Sequence, residues 1–162
     1  MTVMRSSIQR RTGVIGLLLA APLLLAWLAA QSLKLLGTGQ QWEMQATPGQ
    51  SLPRVLLLGP LLETVLMMTA AVVVAQVVAR RQPSTGNHLA TSAGLVGLSF
   101  VASHLLSKGA AALVSAPMAV LLSACAVYAV QQSNKVTLVM RGFVLFVMHS
   151  LYNASLLALG VH

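Results

Sequence analysis

Long apolar runs, broken only by short polar or basic stretches, follow one another along this chain. Five stand out: roughly Thr12–Leu36, Val55–Ala79, His88–Leu106, Ala110–Val130 and Val136–Val161. A run of about 18 or more apolar residues can cross a hydrocarbon layer ~30 Å thick. No water reaches the backbone there, so a run of this length satisfies its own N–H and C=O groups by coiling into a helix. The sequence therefore predicts an all-α fold, an integral membrane bundle of about five transmembrane helices. One domain over residues 1–162 suffices, and no internal repeat is apparent.

Composition removes the competing classes. A soluble domain carries roughly 25% charged residues, whereas this chain has 7%, with a mean hydropathy of +0.82. The net charge of +8 would point to nucleic acid in a soluble protein. Here the ten Lys and Arg mostly flank the apolar runs, where they set topology and meet anionic headgroups. The expected partners are the lipid bilayer and membrane components, with no nucleic acid. The single Cys125 lies inside an apolar run and reads as a packing residue, not part of a disulfide framework or metal cluster.

The first run begins like a secretory leader, with Arg5, Arg10 and Arg11 ahead of it and Ala29-Ala30 within it. It continues through Leu33, Leu35 and Leu36, long for a leader core, so it reads as a retained helix. Gly37–Pro53, with Trp42, Glu43, Pro48 and Pro53, reads as a loop with a short surface helix. Arg80–Asn87 reads as a turn, and Ser107-Lys108-Gly109 as a tight hairpin. Arg5, Arg10, Arg11, Arg80, Arg81, Lys135 and Arg141 fall on one side; Lys34, Arg54 and Lys108 fall on the other. This bias predicts a cytoplasmic N-terminus and an outer C-terminus.

Only two acidic residues occur, and Glu63 lies inside the second run. A charge at that depth costs at least ~2.5 kcal/mol, and its default reading is functional. Glu63 is about nine residues, or ~13 Å, from the outer end of its span. His104 near the outer end of the third run, and His149 and Asn153 in the outer half of the fifth, fall in the same leaflet. His149 and Asn153 are spaced i, i+4 and share a helical face. Gly94, Gly97, Ala90 and Ala93 share the His104 side of the third run and invite close helix approach. Pro60, three residues before Glu63, removes a backbone donor, predicting a kink and a freed carbonyl.

Each polar residue also has an ordinary role, since a lone His or Asn in a membrane often bonds a neighbouring helix for ~0.6 kcal/mol. Four at one depth point to a site. A carboxylate held away from bulk water suits a general base, and His104 beside it can help deprotonate a water. His149 and Asn153 can donate to a tetrahedral oxyanion, a role worth ~2.7–4 kcal/mol per donor. Together these residues suit attack of water on a peptide carbonyl. A Ser–His reading through Gly97-Leu98-Ser99 is weak, because such a serine usually bonds its own helix. A zinc site from Glu63, His104 and His149 has suitable ligand types but no HExxH spacing. Asn153-Ala154-Ser155 fits a glycosylation sequon inside a helix, and Met67, Met68, Met140 and Met148 read as packing.

Gly59-Pro60-Leu61-Leu62-Glu63, Phe100-Val101-Ala102-Ser103-His104 and His149-Ser150-Leu151-Tyr152-Asn153 occur in that order in separate runs. This series resembles the CAAX-protease and bacteriocin-processing (CPBP, or ABI) family of glutamic-type intramembrane proteases, with motifs EExxxR, FxxxH and HxxxN. The resemblance covers about residues 55–155. It implies an endopeptidase without metal or cofactor, with Glu63 and His104 activating water and His149 and Asn153 forming the oxyanion hole. It further implies a membrane-anchored protein substrate and a bacterial inner membrane. Thr64 stands where the motif has its second Glu, and Met68 where it has Arg. Losing both is coherent, since losing one alone strands a charge. The alternative expectation is a catalytically inactive membrane partner, such as a bacteriocin-immunity-like protein. A small proton-coupled transporter fits less well without an inverted repeat.

Overall fold

Each apolar run folds as a helix. The computed structural model describes residues 2–35, 52–81, 88–108, 112–132 and 134–159. In chain order these form α1 (Thr2–Leu35), a π-helical turn (Arg54–Leu58), α2 (Gly59–Arg81), α3 (His88–Lys108), α4 (Ala112–Gln132) and α5 (Lys135–Ala158). No strand occurs among the described residues. Five stretches are long and apolar enough to cross a membrane: Gly16–Leu35, Arg54–Arg81, His88–Leu106, Leu113–Gln132 and Val136–Ala158.

Several expected boundaries move. α1 starts at Thr2, ahead of its apolar run, because helical backbone extends through the polar residues at its start. Pro22 does not interrupt it, and its ring is buried. Arg80 and Arg81 close α2 instead of opening a turn, and Lys108 is the last residue of α3. Basic residues in a last turn favour the helix dipole. Asn134 caps α5, its side-chain oxygen accepting the Thr137 N–H at 2.9 Å. The loop expected over Gly37–Pro53 is helical at Leu52 and Pro53, and its remainder, with the expected surface helix, lies outside the described residues, as do the turn tips at 82–87 and 109–111.

Small residues are buried between the helices beside larger ones, and many large apolar side chains face outward. Buried positions include Ala26, Ala30, Ala71, Ala126, Ser92 and Ser123, while Leu17, Leu66, Leu98 and Val139 are exposed. That is the pattern expected where lipid solvates Leu as well as a core would, and close backbone approach drives association. The core joins all five helices through Ala26, Met67, Val96, Leu122, Val127 and Met148. Cys125 is partly buried and packs against this cluster.

α3 and α4 pack most extensively, and Gly97 is where they meet. A Cβ placed there would lie 3.6 Å from Ser123 Oγ and 3.9 Å from the Val120 Cα. Ser123 is held in turn by its own helix, donating to the Ala119 carbonyl at 2.7 Å. The expected stripe is therefore narrower than the sequence implied: Gly94 is exposed with nothing within 4 Å of such a Cβ. These distances predict that Gly97→Ala leaves the thermal midpoint in detergent nearly unchanged. Gly97→Leu forces the helices apart and costs about 1–3 kcal/mol, readable as a lower midpoint.

Candidate functional site

α2 carries Glu63 on its second turn, one residue before the buried Thr64. α3 carries His104 one turn before its end, and α5 carries His149 ~13 Å before its own end. Their chain directions bring all three to one end of the bundle. Glu63 Oε2 lies 3.2 Å from His149 Nε2 and 3.7 Å from His104 Nε2. The His149 side chain is 8% exposed and that of His104 18%, whereas that of Glu63 is 33% exposed. The carboxylate is thus the most accessible member, backed by two imidazoles.

The two rings are held differently. His104 Nδ1 lies 3.0 Å from the Phe100 carbonyl oxygen. A carbonyl only accepts, so this contact places a proton on Nδ1 and turns Nε2 toward the carboxylate. In the neutral ring that Nε2 bears a lone pair, which accounts for a separation longer than a hydrogen bond. His149 approaches the same oxygen at hydrogen-bonding distance, so its Nε2 is the donor. Its Nδ1 is buried without a partner. Phe100 supports both rings: its centroid is 4.4 Å from that of His104 and 6.5 Å, edge-on, from that of His149. The phenyl ring in the FxxxH pattern therefore acts as a wedge.

Asn153, one turn beyond His149, reaches a different group. Its Nδ2 donates to the Val55 carbonyl at 3.5 Å. The reason lies in the π turn. The Gly59 N–H, which an α-helix would give to Val55, goes to the Arg54 carbonyl. The next N–H in a π register would come from residue 60, and Pro60 has none. Val55 is left without a backbone donor, and α5 supplies one from its side chain. The proline-linked irregularity expected from the sequence is this π turn, and the freed carbonyl is that of Val55.

Tyr152 and Ser115, to which the sequence assigned no role, tie α5 to α4 beside the site, with Tyr152 Oη donating to Ser115 Oγ at 3.3 Å. Tyr152 falls within the HxxxN pattern, but nothing in a single sequence distinguished it from packing. Ser99 is exposed and donates to the Leu95 carbonyl at 2.8 Å, as a serine bonding its own helix does. No group of three or more metal-ligating side chains suited to an ion occurs among the described residues. Thr64 is buried, and Met68 packs on the apolar core.

Protein-family models, curated proteins and solved structures yield no match to this chain.

The Val55–Asn153 pairing makes a double-mutant prediction. Asn153→Leu orphans the Val55 carbonyl and lowers stability by about 0.5–1.5 kcal/mol. In a Pro60→Ala background residue 60 regains an N–H, and the same substitution costs measurably less. Equilibrium unfolding of the four proteins in one detergent checks the non-additivity.

Proposed function

We propose that this protein is an intramembrane endopeptidase that hydrolyses a peptide bond of a membrane-associated protein. The observation that carries the reading is the convergence of Glu63, His104 and His149, from three helices, on one carboxylate oxygen. With Oε2 turned toward the imidazoles, the remaining oxygen of the part-exposed Glu63 serves as the base for water. His104 Nε2, held by the Nδ1–Phe100 contact, shares in that deprotonation and carries the proton onward to the leaving amine. Once Glu63 takes the water proton it no longer holds the His149 Nε2–H, which then donates to the tetrahedral oxyanion. Asn153 commits one amide proton to Val55 and keeps a second for the oxyanion.

The motif resemblance supports the same assignment, placing the chain as a divergent CPBP-type glutamic protease. Buried Thr64 and core-packed Met68 fit loss of the family's Glu and Arg as a pair, leaving no stranded charge. No metal or organic cofactor is needed for these steps. The resemblance favours a bacterial inner membrane and the basic-residue bias a cytoplasmic N-terminus, which together set the site in the outer leaflet. A membrane-anchored protein cleaved near that face, through a C-terminal anchor, is the substrate class this placement favours. A catalytically inactive partner or immunity-like protein is the second reading, and Thr64 and Met68 are the residues that favour it.

Cells producing wild-type protein or Glu63→Gln provide the test, with the membrane fraction searched for new protein termini. The proposal expects at least one membrane protein shortened only in wild-type cells, with cleavage falling ~10²–10⁴-fold in the variant while its helicity is unchanged. Identical termini in both cells would point to the non-catalytic reading.

A further inference from the structure

Arg141 is the seventh residue of α5, ~9 Å inside the helix measured from Lys135. Its guanidinium carbon lies 5.2 Å above the ring centroid of Tyr128 on α4, a cation–π arrangement that fixes the plane of the group. One of its terminal nitrogens, Nη1, is buried without a hydrogen-bond partner. Glu63 is the only carboxylate among the described residues, and it faces His149 toward the other end of α5. Among the described residues, Arg141 has no carboxylate counter-ion.

Its surroundings are basic. α2 runs antiparallel to α5, since Glu63 near its start meets His149 toward the end of α5. Arg80 and Arg81, exposed in the last turn of α2, therefore share the Arg141 end of the bundle. Lys135 opens α5 at that same end. Tyr128 is half exposed, as expected for an aromatic ring at headgroup level.

We infer that Arg141, held by Tyr128, is a binding site for the phosphate group of an anionic phospholipid. A phosphate oxygen supplies the acceptor that Nη1 lacks, and the planar guanidinium suits two-point contact with phosphate better than an ammonium does. Depth favours a lipid over a free ion, because a headgroup reaches this level while its acyl chains cover the exposed leucines and valines. Arg80 and Arg81 add attraction for anionic lipid without setting geometry.

The full-length protein in mixed micelles provides the test, supplied with phosphatidylglycerol, phosphatidylcholine or inorganic phosphate. Retained lipid is read by native mass spectrometry and stability by thermal unfolding. Wild-type protein is expected to retain phosphatidylglycerol several-fold over phosphatidylcholine and to melt higher with it. Arg141→Gln should abolish that preference and Arg141→Lys should weaken it. Tyr128→Leu, which keeps the charge but releases its plane, should weaken it as well and remains informative if Arg141→Gln does not fold. Equal retention of the two lipids, or a preference unchanged in Arg141→Gln or Tyr128→Leu, would overturn the inference. Stabilisation by inorganic phosphate equal to that by phosphatidylglycerol would overturn the lipid assignment.

Discussion

A carboxylate two turns inside an apolar helix has to find donors among its neighbours, because the bilayer offers none. Glu63 finds one on α5, the His149 Nε2–H at 3.2 Å, while His104 Nε2 on α3 lies 3.7 Å from the same oxygen. That requirement ties α2 to α5 at this end of the bundle, where His104 of α3 also meets the carboxylate. The π turn follows the same logic one step away. Pro60 withdraws a backbone donor, the Val55 carbonyl is left over, and Asn153 on α5 fills the vacancy. Polar satisfaction thus fixes the site end of the bundle, while small residues such as Gly97 and Ala126 fix how closely the helices lie.

Much of the architecture was legible because hydrophobic thickness leaves little choice. A run as long as Val55–Ala79 must be helical, and its flanking arginines mark where it meets water. Helix ends were less legible. Backbone hydrogen bonding continues past the apolar residues, so α1 reaches back to Thr2 and α2 runs through Arg81. Residue type and depth brought Glu63, His104 and His149 forward as a group, and the structure does bring their side chains together. The contact made by Asn153 was only half visible. Pro60 announced a freed carbonyl, but a change from α to π register leaves no trace in hydropathy, so neither Val55 nor its partner followed from the pattern. The Gly94 side of α3 failed as an interface for a related reason: periodicity identifies a face without saying whether a helix or lipid covers it.

The two imidazoles are inequivalent, and this asymmetry gives the site a direction. His104 is pinned through Nδ1 to the Phe100 carbonyl and presents a basic nitrogen to Glu63. His149 gives its Nε2 proton to the carboxylate and keeps a buried, unpartnered Nδ1. One ring is placed to receive a proton and the other to donate, the division of roles that the proposed hydrolysis uses. The uncharged neighbours Thr64 and Met68 leave Glu63 as the sole acid of this cluster, so its chemistry rests on the histidines.

The most direct test of this account is the ring-nitrogen NMR of ¹⁵N-histidine-labelled protein in a bilayer, at a pH where both rings are neutral. The geometry predicts opposite tautomers, with the proton on Nδ1 in His104 and on Nε2 in His149, and a change at both rings in Glu63→Gln. Identical tautomers that do not respond to Glu63→Gln would contradict a shared site built around that carboxylate.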